Sequence, residues 1–223
     1  MTNGHHSLRQ VFHEGLAFLT DEMTEMSRLV EQALADATTA LLEADLSLAE
    51  QVISGDDQID QIYRENEEMS VDLIARQQPV ASDLRVVITS LRSVVSLERM
   101  GDLAVHVADV ARRRYPEHAV PDDLKDTFED MSTTARRMVA LCRKMIQTGE
   151  ADRVTEVRAL DDVLDAHHRR MFSIILDANK YDTATAVDVV MLSRFYERYA
   201  DHAVSFANRL HYLYTGELTS AKD

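Results

Sequence analysis

Carboxylates four residues apart recur at four places in this chain: Asp56 with Asp60, Glu98 with Asp102, Asp161 with Asp165, and Glu197 with Asp201. On a helix, residues i and i+4 share a face, and two like charges held there cost roughly 0.2–0.5 kcal/mol. A repeated unfavourable arrangement calls for compensation. One source is Arg99 and Arg198, beside Glu98 and Glu197, or plain solvation of an acidic face. The other is a divalent or trivalent cation, since hard oxygen ligands from two antiparallel helices can converge on a metal or small cluster. Recurrence of the pairs in both halves of the chain favours the cation. His106 lies four residues after Asp102 and His168 three after Asp165. Either could complete a site, but a histidine so placed is more often an ordinary surface or half-buried one. His202 follows Asp201 directly, faces another side, and could support a ligand only indirectly.

Other chemical signatures are missing. The sequence has no Gly-rich phosphate loop, no Ser-centred elbow, no HExxH and no CxxC. Nor does it have the Glu-x-x-His spacing of ferritin-like di-iron sites, which argues against oxygen chemistry. Catalysis would rest on a metal alone.

Long helices must carry these pairs. Apolar residues at Phe12, Leu16, Leu19, Met23, Met26, Val30, Ala33, Ala37 and Leu41 alternate steps of three and four, which predicts one long amphipathic helix. Ser54-Gly55 reads as its stop, with Asp56 or Asp57 capping a second helix that runs to about Arg76 with Ile59, Ile62, Met69 and Leu73 inward. Pro79 separates this from a third helix, capped by Ser82 or Asp83 and ending near Tyr115, with Leu84, Val87, Leu91, Val94, Leu97 and Val105 as apolar positions. Tyr115 to Pro121 holds two of the 3 prolines and divides the chain into residues 8–115 and 121–216. The first stripe then returns at Leu124, Phe128, Met131, Ala135, Met138, Leu141 and Met145, closed by Gly149. A fifth helix is expected from about Asp152 to Ala178, and a sixth from about Thr183 to Tyr214 with Gly216 as its stop and a frayed tail to Asp223.

The two halves repeat in detail. Asp56-Asp57-Gln58-Ile59-Asp60 matches Asp161-Asp162-Val163-Leu164-Asp165 at an offset of 161 − 56 = 105. Leu97-Glu98-Arg99-Met100-Gly101-Asp102 matches Tyr196-Glu197-Arg198-Tyr199-Ala200-Asp201 at an offset of 197 − 98 = 99. The difference of 6 predicts a shorter connection between the second and third helices of the second copy. The fold expected is all-α, with two tandem three-helix bundles related by pseudo-twofold symmetry. Which acids of the second and fifth helices face inward is left open, because Asp57 and Asp162 compete with their neighbours.

Composition agrees. Hydrophobic residues make up 45% and charged residues 28%, as in a folded globular protein, and only 6 Gly and 3 Pro leave few tight turns for a β-protein. A net charge of −15 repels phosphate backbones, so nucleic acid is not an expected partner, and Arg112 to Arg114 with Arg136 and Arg137 read as solvated helix charges. The lone Cys142, among Met138, Val139, Leu141 and Met145, reads as a small core residue, which fits a reducing, cytoplasmic setting. No segment approaches the ~20 apolar residues of a membrane span, and His5 and His6 are assigned no role.

Gln78-Pro79 followed by Ala81 and Asp83-Leu84-Arg85, then Leu97-Glu98-Arg99-Met100-Gly101-Asp102, and later Tyr196-Glu197-Arg198 with Ala200-Asp201-His202-Ala203, together resemble the PhoU family of bacterial phosphate-uptake regulators. The resemblance runs from about Leu8 to Gly216. It implies two three-helix bundles whose acidic pairs bind transition metals such as iron, zinc or manganese. On this chain the ligands would be Glu98, Asp102, Glu197 and Asp201, with Asp56, Asp60, Asp161 and Asp165. It also implies a negative regulator of the phosphate-starvation response and of phosphate transport: an adaptor between the ATPase subunit of a phosphate ABC transporter and a membrane sensor histidine kinase. A departure stands at Asp182-Thr183-Ala184, where the second copy lacks the Asp-Leu-Arg string. Any role of Arg85 is therefore not assumed to be symmetric. A homodimer is the expected assembly. The competing readings are a metal-dependent hydrolase or oxidase using the carboxylate clusters, and a metal-free helical scaffold.

Overall fold

The computed structural model describes residues 3–176 and 180–218, with side chains from residue 10 onward. The side chains of His5 and His6, the expected helix end at Ala178 and the tail beyond residue 218 lie outside the described residues. Six long helices carry the chain: α1 (Asn3–Glu43), α2 (Leu46–Gln77), α3 (Ala81–Arg114), α4 (Lys125–Thr148), α5 (Val154–Ile175) and α6 (Thr183–Thr215). Single 3-10 turns at Asp122–Leu124 and Ala151–Arg153 lead into α4 and α5.

Most helix ends lie where their residues dictate. Gly149 and Gly216 adopt left-handed φ of 72° and 75° and close α4 and α6, and the Asp182 side chain caps α6 by accepting the amide of Thr185. One boundary differs. Ser54-Gly55 does not end α1, because the break comes ten residues earlier. There Ala44 takes a positive φ of 55° and the Asp45 carboxylate accepts the amide of Leu48, starting α2 at Leu46. Gly55 is an exposed residue inside α2 with nothing near its missing Cβ, so helix continuation meets no obstacle there. Asp56 is therefore an interior residue of α2 and not its cap. At α3 the expected cap also fails. Val80 is the N-cap, without a side-chain hydrogen bond, while Ser82 and Asp83 lie within the first turn.

The shortening of the second copy likewise comes from helix and not from its connection. α2 continues from Asp56 to Gln77, whereas α5 continues from Asp161 only to Ile175. The following link is longer in the second half, from Ile175 to Thr183 against Gln77 to Ala81.

Each copy is an antiparallel three-helix bundle, and the two copies join through like helices: α1 packs on α4 and α3 on α6. One core runs through both. Met26, Val30, Leu97, Phe128, Met138, Leu164, Leu192 and Phe206 belong to a single buried cluster, and Cys142 lies fully buried within it. Polar anchors set the seam. The Thr38 hydroxyl of α1 is shared with Ser132 of α4 at 2.9 Å and Tyr196 of α6 at 2.7 Å. Tyr199 donates to the Val30 carbonyl at 3.0 Å, and Arg143 pairs with Glu31 at 2.6 Å. Buried groups satisfied in this way fix one register, because any slip strands them without partners. Among the described residues, the first bundle extends further. There a satellite cluster of Leu19, Leu73 and Val87 closes the far end, and Asn66 accepts a hydrogen bond from Ser90 at 3.0 Å.

Candidate functional site

The acidic pairs settle onto the α2/α3 and α5/α6 seams. Asp57 and Asp162 point to solvent, while Asp56, Asp60, Asp161 and Asp165 are partly buried, which resolves the register of both helices. In the first half Asp56 lies directly against α3. One of its carboxylate oxygens sits 2.8 Å from where a Cβ of Gly101 would stand, with the Ile59 side chain 3.1 Å from the same point. A glycine here is a space requirement: it lets the carboxylate approach the helix backbone.

Charge collects where these residues meet. Burial pushes the Asp56 carboxyl up to about 6 from its ordinary 3.8, and Asp102, Asp60, Glu98 and Asp57 each push the same way. Glu98 is also raised, by burial first and then by Asp102, with Arg99 opposing. Arg99 is the counterion. It pairs with Asp102 at 2.8 Å and with Glu98 at 3.4 Å, and its own side chain is 56% exposed, so solvent screens much of what it provides. Arg64 approaches Asp60 at 4.0 Å from a similarly exposed position.

The second half repeats the acids and changes the surroundings. Glu197 and Asp201 are both raised, chiefly by burial, though Asp201 is an exposed residue and solvent screens much of its rise. Asp201 adds to the rise at Glu197, and Asp165 contributes at both. The position equivalent to Gly101 is Ala200, fully buried, so this seam carries the methyl group that the first one omits. The counterion differs as well. Arg198, the expected one, influences Asp201 and His202 only at a distance, and it is Arg194, one turn earlier, that pairs with Glu197. Arg169 reaches Asp165 at 3.6 Å, mirroring Arg64 and Asp60.

The neighbouring histidines are engaged elsewhere. His106 packs on Phe195 of α6 with ring centroids 5.2 Å apart, and His168 meets the Ser193 hydroxyl at 3.0 Å. Burial and the adjacent Arg194 hold the His168 imidazole below its usual range, and burial with Arg198 does the same for His202. Neither His106 nor His168 completes an acidic cluster.

As a donor set the seams suit a cation. All the candidate donors are carboxylate oxygens, they repel one another, and the exposed arginines only partly neutralise them. In the conformation described, no group of three or more His, Cys, Asp or Glu side chains among the described residues is gathered closely enough to hold a metal ion. The fit is therefore one of charge and donor type, with side-chain rotation still needed to close a coordination shell.

Duplicated antiparallel three-helix bundles, each with an acidic seam between its second and third helices, define the class of fold. The PhoU domain profile matches residues 23–111 and 128–210, one match in each half, and the chain belongs to the PhoU family. It is 41% identical to the phosphate-specific transport system accessory protein PhoU homolog 2 of Mycobacterium tuberculosis over 94% of this chain and 99% of the relative. It is 40% identical to PhoU homolog 1 of Mycobacterium leprae over 94% and 95%. The crystal structure of PhoU from Pseudomonas aeruginosa superposes with a TM-score of 0.82 at 30% identity, covering 92% of this chain and all of that one. No described helix is long and apolar enough to cross a membrane.

Proposed function

We propose that this protein is a negative regulator of phosphate transport and of the phosphate-starvation response. It would act in the cytoplasm as an adaptor between the ATPase subunit of a phosphate ABC transporter and a sensor histidine kinase. The reading is supported by relatives described as accessory proteins of phosphate-specific transport. The observation that carries the mechanism is the crowding of Asp56, Asp60, Glu98 and Asp102 on one seam, where the Asp56 carboxyl is pushed up to about 6. A transition-metal ion such as iron, zinc or manganese would neutralise that seam and set the spacing of α2 against α3, and likewise of α5 against α6 through Asp161, Asp165, Glu197 and Asp201. Partners would then read rigid helix faces. Exposed apolar residues at the α2/α3 tip, Val71, Ile74, Val80 and Leu84, offer such a face. A homodimer would double the valency of each contact.

The test has two arms. Elemental analysis of protein purified without chelator should find stoichiometric metal, lost in a folded variant with Glu98, Asp102, Glu197 and Asp201 changed to Ala. Binding of the purified transporter ATPase and the kinase cytoplasmic region is then compared for both proteins. Metal-free wild type with unchanged stability in chelator would sink the metal role, and failure to bind either partner would sink the adaptor.

A further inference from the structure

The antiparallel α3/α6 pair has two ends, related by the offset of 99 residues, and they differ in how their cations are balanced. At one end Arg114 of α3 donates to Asp188 of α6 at 2.5 Å, with both side chains largely buried, and Arg113 pairs with Asp109 at 3.4 Å. The opposite end holds a cavity of about 270 Å3 between α3 and α6, lined by Thr89, Arg92, Asn208 and Arg209 among others. Here Thr89 occupies the position equivalent to Asp188, Arg209 that of Val110, and Arg92 that of Met191. Arg85, which corresponds to Ala184, lies over the Tyr212 ring at 6.0 Å beside the same cavity. Asp188 and Asp109 of the first end thus correspond to Thr89 and Asn208 here, so two acids are gone while three arginines, Arg85, Arg92 and Arg209, still gather at this end.

None of the ion pairs among the described residues involves Arg85, Arg92 or Arg209, in a chain of net charge −15. Arg209 is partly buried, held by a hydrogen bond to the buried Ser96 hydroxyl at 2.5 Å, and burial and then Arg92 disfavour its charge. Asn208 is oriented as well: its carbonyl oxygen accepts from Arg158 at 2.8 Å, which leaves the amide hydrogens as donors at the cavity. The lining thus offers guanidinium and amide donors without a carboxylate among the described residues that line it. A monocarboxylate would leave most of that charge unbalanced, whereas a dianionic tetrahedral oxyanion with several acceptor oxygens balances it.

We infer that the cavity bounded by Thr89, Arg92, Asn208 and Arg209, with Arg85 at its rim, binds a phosphate dianion, either free or as the terminal group of a small phosphate ester. The inference deepens the regulatory reading by giving the protein its own phosphate contact, and it does not depend on the carboxylate seams.

Titration calorimetry at constant ionic strength tests it, with inorganic phosphate in one arm and phenyl phosphate in the other. Saturable one-site binding is expected, and the tighter ligand identifies the source. Arg92→Gln, at an exposed position, should weaken binding about tenfold or more through loss of charge-assisted hydrogen bonds. Thr89→Asp, which restores the internal acid of the opposite end, should abolish it, while Asp188→Thr should leave it unchanged. Thermal melts of each variant establish folding. No saturable binding in either arm, or binding that folded Arg92→Gln and Thr89→Asp retain undiminished, overturns the site. Partner binding assayed separately would still stand or fall by its own result.

Discussion

The two acidic seams are built from matching carboxylates and yet are not equivalent. In the first, Gly101 lets the Asp56 carboxylate lie against α3, where burial and four neighbouring acids raise its pKa to about 6. In the second, Ala200 fills that position and Arg194, not Arg198, supplies the counterion. Duplicated residues thus preserve the kind of chemistry while one methyl group and one arginine position tune its strength. With Asp56 held against α3 at Gly101, the first seam should respond more strongly to neutralisation.

The sharpest way to break this comparison is to remove one seam at a time. Changing Asp56, Asp60, Glu98 and Asp102 to Ala should weaken cation binding at the first seam on the order of 100-fold, because affinity follows ligand charge and number. Cation binding at the second seam should be retained. Metal titration followed by calorimetry checks both.

A smaller effect is expected from Asp56→Asn, measured in chelator. A carboxyl whose folded pKa lies above its unfolded value binds protons more tightly when folded, so stability from this group falls as pH rises from about 4 to about 6 and stays low above that. At pH 7.5 Asp56→Asn should therefore stabilise the protein by on the order of 1–2 kcal/mol, with the gain vanishing near pH 4. Denaturant unfolding at the two pH values reads it, and a variant destabilised at pH 7.5 would contradict the crowded seam.

Exchanging the tuning residue sharpens the contrast further. Gly101→Ala pushes the Asp56 carboxylate outward but gains helix propensity worth roughly 1 kcal/mol, so its net change should stay within about 1 kcal/mol while the pH dependence from Asp56 flattens. Ala200→Gly lacks that offset and should cost at least as much as the propensity alone. The smallest effects belong to the exposed pairs. Arg64→Ala and Arg169→Ala should each change stability by less than about 0.5 kcal/mol and by similar amounts in the two halves.

Much of this architecture is legible in the residues. The apolar stripes that define α1 and α4, the glycine stops at Gly149 and Gly216, and the repeated acidic strings all lie where periodicity and spacing place them. Cys142 is the core residue its apolar neighbours suggest. What was not legible depends on local alternatives of nearly equal cost. Gly55 resembles a stop, but an exposed helical glycine is tolerated, and the real break rests on Asp45 capping a turn whose Ala44 gives no glycine signal. The choice between Asp56 and Asp57 is a rotation of about 100° that only packing against Gly101 decides. Arg194 could not be preferred to Arg198 because both are within reach of the same carboxylates along one helix. The unbalanced arginines at the Thr89 end were likewise hidden, since their significance appears only when α6 is laid beside α3.

The seam between the halves brings together like elements, α1 with α4 and α3 with α6, around the Thr38, Ser132 and Tyr196 hydroxyls. A lone copy of either half would expose a surface complementary to a second copy of itself, as in an isologous dimer. The chain therefore has the form of a dimer whose subunits became covalently joined. Joining removed the constraint that both subunits carry the same residue at each place. Asp188 could then remain opposite Thr89, and Ala200 opposite Gly101, within a molecule whose outline is still twofold.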